Sequence, residues 1–181
     1  MYSNFIECLC AHLQLNNPII IVRIYTLNKT QKLPISLDEA WQFLCDPTNL
    51  SKLTPPEMNM TIISGADRPM YAGQVLQYSV TPLPGFKTKW VSEITQYKEK
   101  KYFVDDQLYG PYAFWHHKHF VHEIEGGVLL EDLINYKVPF GILGQMVHPL
   151  LVKPKLESIF QFRKNQMEAL FGVYNGMTKP K

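Results

Sequence analysis

The middle of the chain consists of extended segments of hydrophobic and polar residues that are separated by turn residues. Between Met58 and Lys137 these segments are interrupted at short intervals by glycine, proline or charged clusters, each of which gives the chain a local reason to turn. The interruptions are Gly65, Pro82 to Gly85, Lys98 to Lys100, Gly110-Pro111 and Gly126-Gly127. The pattern predicts an antiparallel meander with strands at 58–63, 73–81, 87–97, 101–108, 113–124 and 128–137.

Another strand and two short helices are predicted before this block. Residues 19–27 are apolar and rich in β-branched side chains, which favours a strand. Ser36 and Glu39 have the spacing of a capping box, so a helix should begin there and end at Asp46-Pro47. This helix should turn four side chains inward: Ala40, Trp41, Phe43 and Leu44. A second helical turn is expected at 49–53.

Helical spacing returns after the predicted strands. Seven residues recur on one helix face: Leu156, Ile159, Phe160, Arg163, Met167, Leu170 and Phe171. Pro154 suits the first turn of a helix, and Gly172 suits its end. A long amphipathic helix is therefore predicted, and the preceding sheet is the apolar surface on which it can lie.

Composition and charge restrict the class of protein. The 181 residues are 46% hydrophobic and 19% charged, typical of a globular chain, and no apolar run is long enough for stable membrane insertion. The formal charge is +2, with scattered lysines and arginines, which provides no footprint for nucleic acid. The three cysteines are too few and unevenly spaced for a disulfide framework, so a reduced protein of the cytoplasm is expected.

The domain boundaries follow from these patterns. Residues 1–18 are expected to form an N-terminal extension without the character of a signal peptide. Residues 19–173 should form a single domain, and residues 174–181 a tail. Nothing in the sequence fixes the oligomeric state.

Several motifs resemble the START-like superfamily, often abbreviated SRPBCC. They are F-V-D-D-Q at 103–107, G-P-Y at 110–112, W-H-H-K-H at 115–119, G-G at 126–127 and Y-K-V-P-F-G at 136–141. Within that superfamily the sequence is most similar to a bacterial branch often labelled cell division inhibitor-like. The resemblance implies an α+β helix-grip fold, in which a curved antiparallel sheet of six or seven strands wraps a long C-terminal helix. It also implies a cavity for lipid-, polyketide- or aromatic-like molecules.

The strand at 113–124 supplies the candidate site. Alternation places Trp115, His117, His119 and Val121 on one face. A two-residue turn at Gly126-Gly127 would place His119 opposite Ile134, and His117 opposite Tyr136. A ligand-binding surface is predicted from apolar side chains around two imidazoles. Its residues are Trp115, His117, His119, Val121, Ile134, Tyr136, Phe160 and Met167.

Other interpretations stay open. The two imidazoles are equally compatible with hydrogen-bonded structural residues. An enzyme of the cyclase, dehydratase or hydrolase type would use His117 or His119 as acid or base, with Asp105 behind the ring. A module that regulates a protein partner, either cell-division or epimerase-like, is the third alternative. Histidines at i and i+2 can share a metal, with Asp105, Asp132 or Glu131 as a third ligand, but without defined spacing for that ligand no metal and no cofactor is predicted.

Overall fold

The computed structural model describes residues 23–176. The strands are β1 (Tyr25–Leu33), β2 (Thr61–Ser64), β3 (Val75–Leu83), β4 (Phe86–Lys98), β5 (Tyr102–Tyr109), β6 (Phe114–Ile124) and β7 (Gly127–Lys137). The α-helices are α1 (Leu37–Leu44), α2 (Gly141–Val147) and α3 (Lys153–Phe171). Two 3₁₀ helices lie at Pro47–Leu53 and Pro56–Met58, and one π-helical turn at His148–Val152 joins α2 to α3. The predicted extension at 1–18, the beginning of the strand at 19–27 and most of the tail at 174–181 lie outside the described residues.

The seven strands form one antiparallel sheet in the order β1-β7-β6-β5-β4-β3-β2. The six strands predicted between Met58 and Lys137 are confirmed, with ends shifted by a few residues. The first strand runs to Leu33, six residues beyond its predicted end at Leu27. Asn28 to Lys32 are polar and resemble a loop, but β1 is an edge strand that pairs with β7 from Val128 to Tyr136. One of its faces meets solvent, so the polar residues are tolerated there.

The two short helical segments follow β1 as predicted. The Ser36 hydroxyl accepts a hydrogen bond of 3.2 Å from the Glu39 amide and caps α1. Of the four residues of α1 predicted to point inward, Ala40 and Trp41 are buried, while Phe43 and Leu44 are half-buried. The Asp46 carboxylate caps the following 3₁₀ helix by accepting from the Thr48 amide at 2.9 Å. These caps fix the first turns of α1 and of the 3₁₀ helix, and the segment borders the cavity described below.

Helix α3 lies on the sheet through a narrow apolar stripe. Leu156, Phe160 and Met167 are its buried residues, at helical spacing. Met167 belongs to an apolar cluster with Trp41 and the inward side chains of β4 and β5. Leu156 and Phe160 belong to a second cluster, with the inward side chains of β6 and β7. The helix therefore closes over two apolar regions of one sheet.

The β6–β7 hairpin differs from the predicted register. Ile124 pairs with Gly127, so the turn residues are Glu125 and Gly126 rather than the two glycines. Gly126 supplies the positive φ of 73°. Gly127 is needed inside the strand, because a Cβ there would lie 2.0 Å from the carbonyl oxygen of Leu33.

The corrected register moves every partner by two positions. His117 lies opposite Ile134 and His119 opposite Asp132, rather than opposite Tyr136 and Ile134 as predicted. Val121 lies opposite Leu130, not Asp132. A shift of two residues leaves each side chain on its predicted face, because side chains alternate with a period of two. The predicted grouping of Trp115, His117, His119 and Val121 is therefore unaffected.

Apolar side chains are exposed in the segment between β7 and α3. Phe140, Ile142, Leu143, Met146 and Leu150 are each more than half exposed. Of the helices in residues 23–176, none combines the length and apolar character required to cross a membrane. None of residues 140–151 lines the cavity described below.

Candidate functional site

A cavity of about 220 Å³ lies between α3, the inner face of the sheet and the 3₁₀ segment after α1. Its wall is mainly apolar. The sheet contributes Leu76, Tyr78, Val80, Trp90, Ile94, Phe103 and Trp115; the helices contribute Phe43, Leu53, Met58, Leu156, Ile159 and Phe160. Four ionisable side chains form one polar corner of the wall: Asp105, His117, His119 and Arg163.

The two histidines reach the cavity because β6 alternates. His117 and His119 are 6% and 8% exposed, and the intervening Lys118 faces outward with His116. The imidazole rings lie with centroids 3.7 Å apart and planes tilted by 36°. Phe103 stacks on the far side of His119 at 4.1 Å. The rings are thus held in place by aromatic packing as well as by polar contacts.

Two carboxylates from neighbouring strands flank the imidazole pair. Asp105 on β5 approaches His119 Nε2 at 2.9 Å and His117 Nδ1 at 3.5 Å, in both cases through Oδ2. Asp132 on β7 approaches His117 Nε2 and His119 Nδ1, each at 2.9 Å, through Oδ1. All four ring nitrogens therefore face a carboxylate oxygen. Antiparallel pairing produces this arrangement, since Asp105 lies opposite His117 and Asp132 opposite His119.

Arg163 completes the group from helix α3. Its Nη1 lies 3.5 Å from Asp132 Oδ1, and the two side chains are only 14% and 13% exposed. The guanidinium also lies over the ring of Phe160, 5.8 Å from its centroid. Arg163 was predicted on the buried face of the helix but not as a site residue. A cation within an apolar stripe at helical spacing is the signal that identifies it in the sequence.

Burial and charge act in opposite directions on the ionisable groups. Burial lowers the pKa of His117, and the adjacent His119 lowers it further, whereas hydrogen bonding to Asp132 opposes the change. Burial also disfavours charge on His119, but contacts with Asp105 and Asp132 outweigh it and leave the pKa of His119 raised. Burial opposes ionisation of both carboxyls. Even so, the cationic neighbours lower the pKa of Asp105, and Arg163 above all holds the pKa of Asp132 well below its usual range.

The eight residues predicted to contact a ligand fall into two groups. Four of them line the cavity: Trp115, His117, His119 and Phe160. The other four are buried in the apolar clusters and do not line it: Val121, Ile134, Tyr136 and Met167. Alternation on the strands and helical spacing on α3 grouped the residues by face, but neither pattern could separate the part of a face that borders the cavity from the part that is packed into the core.

Several residues of the cavity wall were missed from sequence. Ser92 on β4 lines the cavity. Its hydroxyl accepts a hydrogen bond of 2.9 Å from the indole of Trp90 and forms another of 3.0 Å with the hydroxyl of Tyr78. Burial raises the pKa of Tyr78, so its hydroxyl stays protonated. Asp132 does not line the cavity, but it contacts both imidazoles from β7. The sequence named it only as an alternative third metal ligand; a charged residue at an inward position, between Leu130 and Ile134, is the signal for its contact with the two histidines.

Comparison with known proteins supports the fold. Protein Ms6760 from Mycobacterium smegmatis is similar over 80% of this chain and 89% of its own, with 21% identity and a TM-score of 0.59. Protein CV1439 from Chromobacterium violaceum matches over 82% of this chain and 99% of its own, with 13% identity and a TM-score of 0.63. Major latex-like protein 151 from Panax ginseng matches over 82% of this chain and 97% of its own, with 11% identity and a TM-score of 0.57.

No protein-family model and no curated protein sequence matches the chain. The structural likenesses, together with the sheet order and the long C-terminal helix, confirm the predicted helix-grip fold. At these identities they extend to the fold alone.

Proposed function

We propose that the protein reversibly binds a small, mainly apolar molecule that carries one polar group. The observation that carries this proposal is the cavity itself, in which a mainly apolar wall includes one buried cluster of ionisable side chains; the other ionisable lining residues, Asp46 and Lys155, are less buried. Ligand sites are commonly built in this way, with apolar area for affinity and a few polar groups for orientation. The resemblance to ligand-binding members of the START-like superfamily agrees with the proposal.

The volume restricts the size of the ligand. An apolar cavity of about 150 Å³ in another protein accepts benzene. The 220 Å³ here therefore suits a molecule of on the order of ten non-hydrogen atoms, such as a substituted aromatic ring or a short branched chain. Trp115 and Phe160 provide flat walls for such a ring. A sterol or a diacyl lipid is too large for this volume.

The polar corner restricts the chemistry of the ligand. Asp105 and Asp132 already lie next to the guanidinium of Arg163 and to His119, whose pKa the two carboxylates raise, so the charges of the corner are paired with one another. Burial of an additional uncompensated charge there would be costly. A hydroxyl or carbonyl group, which exchanges hydrogen bonds with His117 or His119, fits better than a strongly ionised group.

A matched pair of tryptophan substitutions tests the proposal. Val80 is 4% exposed and lines the cavity, whereas Val75 on the same strand is 40% exposed and points outward. The probe is 1-naphthol, an apolar ring system with one hydroxyl, and binding is followed by quenching of Trp90 and Trp115 in the cavity wall. Val80→Trp should weaken binding at least about tenfold by filling the space, and Val75→Trp should leave it unchanged.

Naphthalene, which lacks the hydroxyl, serves as the chemical control. It should bind more weakly than 1-naphthol to the wild type, and the difference should disappear when His117 and His119 are both replaced by alanine. Equal binding of 1-naphthol by the wild type and Val80→Trp would contradict the proposed site. Absence of saturable binding of either probe to the wild type would contradict the proposed ligand class.

A further inference from the structure

We propose that Asp105, His117 and His119 form a binding site for one divalent transition-metal ion, with Zn²⁺ as the reference ion. One ligand atom from each of these residues lies within 4.8 Å of the other two. Two histidines and a carboxylate are a common ligand set for zinc and for other first-row metals. The sequence predicts no metal because the spacing defines no third ligand; the fold supplies one by placing Asp105 of β5 opposite His117.

The two distances from Asp105 to the imidazole nitrogens are close to those between ligands of a tetrahedral zinc site. Zinc bonds of about 2.0–2.1 Å to nitrogen and oxygen require tetrahedral ligands to lie about 3.3 Å apart. Asp105 Oδ2 lies 2.9 Å from His119 Nε2 and 3.5 Å from His117 Nδ1, which brackets that value. The third distance, between the ligand nitrogens of His117 and His119, is within 4.8 Å. Side-chain rotation that brings these nitrogens to about 3.3 Å would complete the polyhedron.

A count of ring protons also indicates a cation. All four ring nitrogens lie within 3.5 Å of a carboxylate oxygen, yet two neutral imidazoles carry only two N–H groups. The two nitrogens without a proton then place their lone pairs near carboxylate oxygens, which is unfavourable in a buried site. A metal ion held by Asp105, His117 and His119 would bind the lone pairs of His117 Nδ1 and His119 Nε2, so no third or fourth proton is needed on the rings.

The remaining contacts have the form of an outer coordination shell. With the ion bound to His117 Nδ1 and His119 Nε2, the opposite ring nitrogens both face Asp132 Oδ1 at 2.9 Å. A carboxylate behind a metal-binding imidazole fixes its tautomer and orientation. His117 Nε2 is aligned for this hydrogen bond, while the buried His119 Nδ1 lies at the same distance but off the required line. Arg163 balances the charge of Asp132.

The ion would be open to the cavity on one side. Asp105, His117 and His119 all line the cavity, whereas Asp132 does not. Three protein ligands with one free position are typical of zinc sites that bind water or a substrate atom. This inference goes beyond the proposed function: the ion would offer the ligand's oxygen a Lewis-acidic partner, but zinc binding itself requires no organic ligand.

The experiment measures zinc binding to the full chain after treatment with EDTA and removal of the chelator. Isothermal titration with ZnCl₂ should give one equivalent per chain. Asp105→Asn and His119→Gln should each weaken the affinity by about a hundredfold or more, at least as much as an outer-shell change. His122→Ala, on the outward face of the same strand with a half-exposed side chain, should bind like the wild type. The double variant Cys8→Ser with Cys10→Ser, which removes two thiols that could compete for the metal, should also bind zinc with the affinity of the wild type.

A measurement on the wild type keeps the inference testable if a variant does not fold. Co²⁺ bound at the proposed site should show the visible bands of four- or five-coordinate cobalt with nitrogen and oxygen ligands, without a thiolate charge-transfer band. No zinc or cobalt binding by the wild type would overturn the inference, as would a thiolate band or full affinity in folded Asp105→Asn and His119→Gln. Binding of 1-naphthol is a separate readout, so failure of the metal site leaves the proposed cavity function standing.

Discussion

Replacement of Arg163 by methionine tests how strongly the buried polar group contributes to the fold. Methionine keeps an apolar stem of similar length against Phe160 but removes the charge beside Asp132. At 3.5 Å and an effective dielectric constant of about 20, Coulomb's law gives about 5 kcal/mol for the pair. Removal of the guanidinium also removes its own desolvation cost, so we expect the free energy of unfolding to fall by about 3 kcal/mol.

Urea denaturation followed by circular dichroism at pH 7.5 measures this loss, and the neighbouring residue on the helix provides the control. Lys164 pairs with Glu168 one turn further along α3, and its side chain is 46% exposed. Lys164→Met should therefore change the free energy of unfolding by no more than about 0.5 kcal/mol. Both variants replace a basic residue of α3 by methionine. The difference between their free energies of unfolding therefore reports the effect of burial.

A double-mutant cycle with Asp132→Asn assigns the effect to the pair. If Arg163 stabilises mainly by compensating Asp132, its loss should cost about 2 kcal/mol less once that carboxylate is neutral. Costs for Arg163→Met and Asp132→Asn that add within about 0.5 kcal/mol would refute the coupling. A single-variant loss as small as that of Lys164→Met would refute the magnitude.

Three further predictions concern the core, the hairpin and the pH dependence. Ile134→Ala, at a fully buried position, should reduce the free energy of unfolding by about 3 kcal/mol in urea titrations, while Ile63→Ala, at a position 52% exposed, should change it by less than about 1 kcal/mol. Gly127→Ala should destabilise by about 2 kcal/mol because its Cβ would collide with the Leu33 carbonyl, and a cost near zero would contradict the corrected register. Burial lowers the pKa of His148 below its ordinary value of 6.5, so unfolding takes up a proton and stability should fall as the pH drops through 6.5. His148→Gln should make the free energy of unfolding, measured in urea titrations between pH 7.5 and 5, depend less on pH. An unchanged pH dependence would contradict the assignment of this effect to His148.

Local patterns predicted the architecture because each decisive signal is short in sequence. Glycine and proline mark the turns between β3 and β4 and between β5 and β6, and the Ser36 cap marks the start of α1. Alternation then grouped Trp115, His117, His119 and Val121 on one face of β6. It did not show which face is inward, because Phe114, Phe120 and Ile124 make the opposite face partly apolar. The register of the hairpin was wrong because both Gly126 and Gly127 suit a turn, and the requirement for Gly127 comes from the Leu33 carbonyl on a third strand. Such a contact between distant segments has no local signature.

The candidate site also combines residues with a local sequence signal and residues that only distant contacts bring together. His117 and His119 were predicted from the period of a single strand. The involvement of Asp105, Asp132 and Arg163 depends on the pairing of β5, β6 and β7 and on the position of α3. The cavity boundary depends on packing as well, which is why half of the predicted ligand contacts lie in the core instead. These features follow from the register of distant segments.

Native mass spectrometry of the full chain, purified gently from its own host, tests the central claim most directly. The wild type should carry a small organic adduct that is lost on denaturation, with a size suited to a cavity of about 220 Å³. Val80→Trp, prepared in parallel, should lack that adduct, and Val75→Trp should retain it. An adduct that persists equally in Val80→Trp would place the bound molecule elsewhere. A bare wild-type chain that also gains no adduct after incubation with 1-naphthol would contradict the ligand-binding account.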